Sequence, residues 1–371
     1  MTFKHLYRTG TIILLLLAGA CGGNGDGARN NENIVNVYNW ADYIAPDTVK
    51  KFEAETGIKV NYDMYDSSEV VDVKLLAGQS GYDVVIHSNQ FSSRLAPIGI
   101  FQSLDKSRFT NFKNLDANIM SRIGVYEVVL DYNIPYHWGT TGYAWNVEMV
   151  RERLPDHPMD SGDILFDPEV ISKLADCGVS LLDGSTDLFP MVLAYLGLDP
   201  TASDDESLAA AEAQLAKVRP YVRYFSNTKM LSDLPNKEVC VAMSWSGDYA
   251  TAAKRAAEAG LDIELRYTVP KEGSGLWVDG MYILSDAPHT DNAYKFIDFM
   301  LRGDIAADIV NTVNYANANQ ASWRLIDPAI YNNKAIFPDD EVWALLYPIL
   351  SAEPKQERVR TRAFARVKSG L

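Results

Sequence analysis

The chain has 371 residues, 47% of them hydrophobic and 22% charged, with a formal net charge of −15. That length supports a large buried core and predicts about two domains. So acidic a chain lacks the clustered Lys and Arg that a phosphate backbone requires, which argues against nucleic acid and leaves a cationic ligand, or solubility alone, as the meaning of the charge.

Lys4 and Arg8 precede an apolar stretch, residues 11–20, that is too short to span a bilayer and reads as a secretory signal over residues 1–20. Losing it removes two positive charges and no acid. Ala18, Gly19 and Ala20 lead into Cys21, an order that resembles the bacterial lipoprotein cleavage box, with Ala18 where Leu is usual. Cys21 is then the expected lipidation site, and an ordinary signal peptide with a chance cysteine is the alternative. Residues 21–33 are rich in Gly, Asn and Asp and read as a flexible tether. No other stretch approaches transmembrane length. Cys177 and Cys240 remain for an exported body and are expected to pair, closing a loop of roughly sixty residues worth about 4 kcal/mol. Two buried free thiols are the other possibility.

Residues 34–38 form a strand pattern, Pro46 opens a helix with Val49 and Phe52 on one face, and Gly57 ends it. Residues 58–65 are a second strand. Ser67 or Ser68 caps a helix carrying Val70, Val73 and Ala77 with Gly78 as its stop, and residues 82–87 are a third strand. This alternation predicts an α/β chain with a mainly parallel sheet. Residues 140–146 lack helical period and read as an extended connection. A second alternating unit follows: strand 240–245, an Ala-rich helix over 249–259 closed by Gly260, and a strand in "LDIELRYTV". Thr290 is expected to cap a helix with Ala293, Ile297 and Met300 on one face, and the basic run of residues 358–368 to lie on a solvated terminal helix.

In open α/β sheets ligands sit beyond the carboxyl ends of the strands. Trp40, Asp42 and Tyr43 follow the first strand, Ser88 the third, and Trp245 with Asp248 a strand of the second unit. In "GLWVDGMYIL" Trp277 and Asp279 are two apart and share a strand face. Three segments thus repeat one combination of acid and aromatic side chain. Taken singly, each is more often a core ring beside a helix-capping Asp. Together they suit a slender ligand with cationic ends and an apolar middle, because rings stack on methylenes and attract ammonium groups while carboxylates hydrogen-bond them. A six-heavy-atom diamine could reach about −9 kcal/mol at a ceiling of about 1.5 kcal/mol per atom.

Catalytic signatures are missing: the sequence has no HExxH, GxxxxGK, GxSxG or strand-borne GxGxxG. His5 lies in the signal, and His87, His137, His157 and His289 are scattered without metal-ligand spacing. They read as structural or exposed, with His137, just before the connecting segment of residues 140–146, singled out as the one most apt to matter. Paired carboxylates could serve glycoside hydrolysis, but nothing marks one as a proton donor. No enzyme activity, cofactor or metal is expected.

The stretches "VYNWADYIAPDTVKKFEAETGIKVNYDMYDSSEV", "CVAMSWSGDYATA", "VPKEG", "YANANQA" and "RVRTRAFARVKSG" resemble the periplasmic putrescine- and spermidine-binding proteins of bacterial polyamine ABC transporters, in order, from about residue 34 onward. The resemblance implies a two-lobed periplasmic-binding-protein fold of type II that closes over its ligand at a hinge and delivers it to a permease. The expected division is 34–138 with about 276–312 in lobe 1, and 139–275 with about 313–371 in lobe 2. It implies a ligand box of Trp40, Asp42, Tyr43, Ser88, Asp187, Trp245, Asp248, Trp277, Asp279 and Tyr315, of which Asp187 and Tyr315 come from the resemblance alone. Cys177 and Cys240 match the positions of the family's disulfide.

Departures from the pattern are Ala41 where putrescine binders often carry Ser, Asp187 in place of Glu, and Gln90 in place of Ser or Tyr. Trp277 resembles the spermidine type and Asp248 the putrescine type. The expected protein is a monomeric periplasmic lipoprotein of a Gram-negative bacterium that captures a polyamine for an ABC permease and touches the membrane only through its anchor. A polyamine-sensing surface lipoprotein and a hydrolase of small amine conjugates are the alternatives.

Overall fold

A computed structural model describes residues 33–370, apart from the side chain of Glu69. The expected signal peptide, Cys21 and nearly all of the tether lie outside the described residues. β1 (Ile34–Trp40) leads to α1 (Thr48–Thr56), β2 (Lys59–Tyr65), α2 (Ser68–Leu76), β3 (Val84–Ser88) and α3 (Asn89–Leu95). Pro46 falls just before α1, whose cap residue is Asp47, and Gly57 closes that helix at φ 68° with its N–H on the Glu53 carbonyl. Ser67 caps α2 by accepting from the Val70 N–H. The helix lies where the pattern put it but is turned from the expected face: Val70 and Val73 are 53% and 71% exposed, while Val71 and Leu75 are buried. The adjacent valines left two faces equally apolar, and the one that meets β2 and the core carries the i, i+4 pair.

The remaining strands are β4 (Asn133–Asn146), β5 (Val179–Leu181), β6 (Val222–Phe225), β7 (Val241–Trp245), β8 (Leu265–Thr268), β9 (Ser274–Ile283) and β10 (Leu346–Pro348). Among the described residues they join in the order β2-β1-β3-β9-β4-β7-β5-β6, with β10 on β9 and β8 on β4. The runs β2-β1-β3 and β6-β5-β7 are parallel, while β4 pairs antiparallel with β7 and β8. β4 and β9, however, run antiparallel to each other, and β9 also runs antiparallel to β3. The sheet is therefore mixed rather than mainly parallel. β4 carries the chain from the first half to the second, since residues 133–140 pair with β9 and residues 141–146 with β7 and β8. β9 brings it back, and two strands crossing one junction in opposite senses must be antiparallel.

Each half has its own core. Val35, Val37, Phe52, Val84, Ile86, Ile134, Met281 and Phe296 belong to one cluster, and Tyr143, Val179, Leu181, Val192, Leu215, Val241 and Met243 to another. Trp245 packs against both. Cys177 and Cys240 form a disulfide, with Cα atoms 5.5 Å apart, at the entry to the paired strands β5 and β7.

Two expectations about helices change. The helix Thr290–Met300 buries Ala293, Ile297 and Met300 as expected, but its cap residue is His289, and the Thr290 hydroxyl accepts instead from Gln102 Nε2 at 3.1 Å. The terminal helix Pro354–Ser369 is not wholly solvated. It lays Ala363, Phe364 and Val367 on the second core and buries Arg360, which pairs with Glu357 at 2.6 Å.

Candidate ligand-binding site

The carboxyl ends of the strands converge where β4 and β9 cross between the halves. Trp40 ends β1, and its indole lies half-buried at 4.5 Å from the Tyr65 ring. The chain then turns through Asp42, which adopts φ 55°, a left-handed conformation that Asp tolerates better than most residues. Asp42 is exposed, and among the described residues it makes no hydrogen bond or ion pair. The turn sends Tyr43 inward, where its phenol lies beside the Asp279 carboxylate and Tyr136 donates to its carbonyl at 2.7 Å.

Strand alternation places Trp277 and Asp279 on one face of β9, as read from the sequence. Asp279 is 5% exposed, pairs in register with Ser88 of β3, and accepts from the Ser88 hydroxyl at 2.5 Å. Removal from water pushes its carboxyl up to about 6, against the opposing effect of the Ser88 and Tyr43 hydroxyls. Trp277 has room because residue 139 on β4, directly opposite, is glycine: a Cβ there would lie 2.4 Å from the indole.

The second half contributes Trp245, Asp248 and Asp187. Asp248 is in the first turn of the helix Ser246–Glu258, where a carboxylate is favoured by the helix dipole. It accepts from the Tyr315 hydroxyl at 2.6 Å, and burial pushes its carboxyl up to about 6. Asp187 stands in the first turn of the helix Ser185–Tyr195 and accepts from Thr141 Oγ1 at 3.1 Å and from Trp245 Nε1 at 3.0 Å. Tyr315 joins the two groups of residues. Its ring meets Trp277 edge to face at 5.2 Å and Tyr43 at 5.5 Å, and it lies so close to Gly247 that a Cβ there would come within 2.5 Å of the ring.

The structure thus joins Tyr43, Ser88, Asp248, Trp277, Asp279 and Tyr315 through hydrogen bonds and ring contacts, holds Asp187 and Trp245 as a bonded pair with Thr141, sets Trp40 against Tyr65, and leaves Asp42 at the exposed turn. Sequence reading missed Gly139, Gly247 and Thr141. A glycine within a strand and one at a helix start next to a candidate acid were the available signals for the first two, and Thr141 had none. Among the described residues no group of three or more His, Cys, Asp or Glu is placed to hold a metal, and no helix is long and apolar enough to cross a membrane. Neither buried Asp279 nor half-buried Asp248 forms an ion pair with a Lys or Arg among these residues, and aromatic rings lie between them.

A profile of the bacterial extracellular solute-binding proteins matches residues 47–338. The chain belongs to that family. Among curated relatives of this solute-binding protein, it is 44% identical to SpuD, a putrescine-binding periplasmic protein of Pseudomonas aeruginosa, over 97% of this chain and 98% of the relative. It is 42% identical to PotF, a putrescine-binding periplasmic protein of Escherichia coli, over 91% and 92%. Among solved structures, a spermidine/putrescine ABC transporter protein of Listeria monocytogenes superposes with a TM-score of 0.80 at 31% identity, over 91% of this chain and 99% of that one.

Proposed function

We propose that this solute-binding protein captures a short linear polyamine, putrescine or spermidine, between its two halves and presents it to the permease of an ABC transporter. The observation that carries this reading is the pair of carboxylates, buried Asp279 and half-buried Asp248, neither in an ion pair with a Lys or Arg and the two joined by the rings of Tyr315 and Tyr43. Such a pair is costly unless a cation joins it. An amine at each end recovers the cost, and the methylenes between lie against Trp40, Trp277 and Tyr315. Asp187 and Trp245 line the same cleft from the second half, and Asp42 acts at its mouth by long-range attraction. The names of the relatives at 44% and 42% identity support the same class of ligand.

In this reading the halves are lobes that hinge on β4 and β9. Residues 34–138 with 276–312 make the first and residues 139–275 the second. The C-terminal segment divides: Trp323, Ile326 and Phe337 pack on Ala307 and Val310, whereas the terminal helix joins the second core. The mature protein is a periplasmic monomer tethered through Cys21, and its role is transport rather than catalysis.

Calorimetric titration of the purified protein with putrescine, cadaverine, spermidine and spermine tests the reading. One-to-one saturable binding near or below micromolar with a clear preference is expected. Binding of no amine tighter than millimolar would overturn it.

A further inference from the structure

The face of β9 that carries Asp279 and Trp277 runs on past them to a hydroxyl that amine capture as described does not use. Gly275 is the next residue on that face, since side chains alternate along a strand. There β10 lies alongside, with Tyr347 in register with Gly275. The side chains of β10 cover the glycines: a Cβ at Gly275 would lie 2.6 Å from Ile349, and one at Gly273 would lie 3.2 Å from the Tyr347 ring. The same position at Gly275 is 3.8 Å from Thr141 Oγ1, which donates to Asp187 Oδ1 at 3.1 Å. Tyr347 therefore stands on the Asp187 side of the cleft. Its ring is half-buried, but its Oη is shut off from water and has no hydrogen-bond partner. Burial, and after it the charge of Asp187, keep the phenol protonated.

A buried hydroxyl left without a partner weakens the fold, and a phenyl ring would cover Gly273 equally well. The oxygen is accounted for by a polar group that arrives with the ligand. Four residues of β9, about 13 Å of strand, separate Asp279 from the register of Tyr347. That is longer than a four-carbon diamine and within the reach of a triamine. We propose that Tyr347 is a specificity-determining residue of the amine site, forming with Asp187 an end subsite for the third nitrogen of a spermidine-like triamine. The ammonium there donates to Tyr347 Oη and to the Asp187 carboxylate, while Asp248 and Asp279 hold the other two nitrogens. This rests on the polyamine reading above and adds to it a preference for length.

The test titrates putrescine and spermidine calorimetrically into the wild-type protein and into Tyr347→Phe. Phe keeps the ring over Gly273 and removes only the oxygen. The deciding quantity is the ratio of the two affinities. Spermidine is expected to lose about tenfold more than putrescine, because a hydrogen bond to a charged nitrogen is lost from the longer amine alone. A merely structural tyrosine would move both amines together, so equal losses, or none, would overturn the proposal. Melting of the ligand-free proteins gives a second reading. Tyr347→Phe should be at least as stable as wild type, since an unpaired buried oxygen has gone; a clear drop would show that the hydroxyl is paired within the protein and would overturn the proposal as well. Wild type that binds putrescine but not spermidine refutes the end subsite and leaves the polyamine reading standing. Binding of neither amine overturns that reading, and the subsite with it.

Discussion

Asp279→Asn separates function from stability in one substitution. The carboxyl of Asp279 stands at about 6 against an ordinary 3.8, a rise of about two units, so holding it ionised in the ligand-free fold costs about 3 kcal/mol at neutral pH. The sign follows from its direction: with a raised pKa the folded state holds its proton longer than the unfolded chain, so stability falls as pH climbs from about 4 to about 6 and is level above. Asn keeps an oxygen for the Ser88 hydroxyl and removes the charge. The ligand-free variant should therefore melt several degrees higher at neutral pH, and its gain should vanish in acid. Its affinity for the preferred amine should drop at least about tenfold, because one ammonium loses a desolvated counter-charge. Differential scanning calorimetry with and without amine, alongside isothermal titration, reads both effects. Affinity within about threefold of wild type, or a ligand-free variant less stable than wild type at neutral pH, would refute the reasoning.

Amine affinity should be level above about pH 7 and fall as pH drops through about 6, by up to about tenfold per unit for each of Asp248 and Asp279; titration across that range with a single amine checks it, and a flat profile contradicts the assignment. Gly247→Ala puts a methyl 2.5 Å from the Tyr315 ring, so Tyr315 must shift and the Asp248 contact must loosen, lowering affinity about tenfold or more while the melting temperature changes little. Paired replacement of Cys177 and Cys240 by Ser should cost about 4 kcal/mol in denaturant unfolding, since the bridge spans 63 positions of sequence. Val71→Ala should cost about 1–2 kcal/mol and Val73→Ala about 0.5 kcal/mol or less, which the same unfolding assay distinguishes.

Much of this architecture could be read from local pattern, for reasons that particular residues make plain. The alternation in "GLWVDGMYIL" fixes Trp277 and Asp279 on one face without knowledge of anything else, and Gly57 and Gly260 mark helix ends by their left-handed backbone. The orientation of α2 was not legible, because two neighbouring valines satisfy either face and only the tertiary partner chooses. Nor was the mixed sheet, since strand direction depends on which half the chain is leaving. In the site, Tyr315 follows Asn314 in a left-handed turn with no periodicity around it, and it reached the box only through family resemblance. Asp42 shows the reverse: the composition of its segment pointed inward, but the turn that delivers Tyr43 to the interior needs an exposed residue at positive φ.

The return of β9 has a consequence for how the molecule comes into being. Residues 34–138 hold only about half of the first core, and β3 meets no antiparallel neighbour until residues 279–283 arrive, some 190 positions later. While the chain emerges N-terminus first, the apolar edge of β3, Val84 to Ile86, stays unpaired. Such an edge invites mispairing with other chains until β9 covers it.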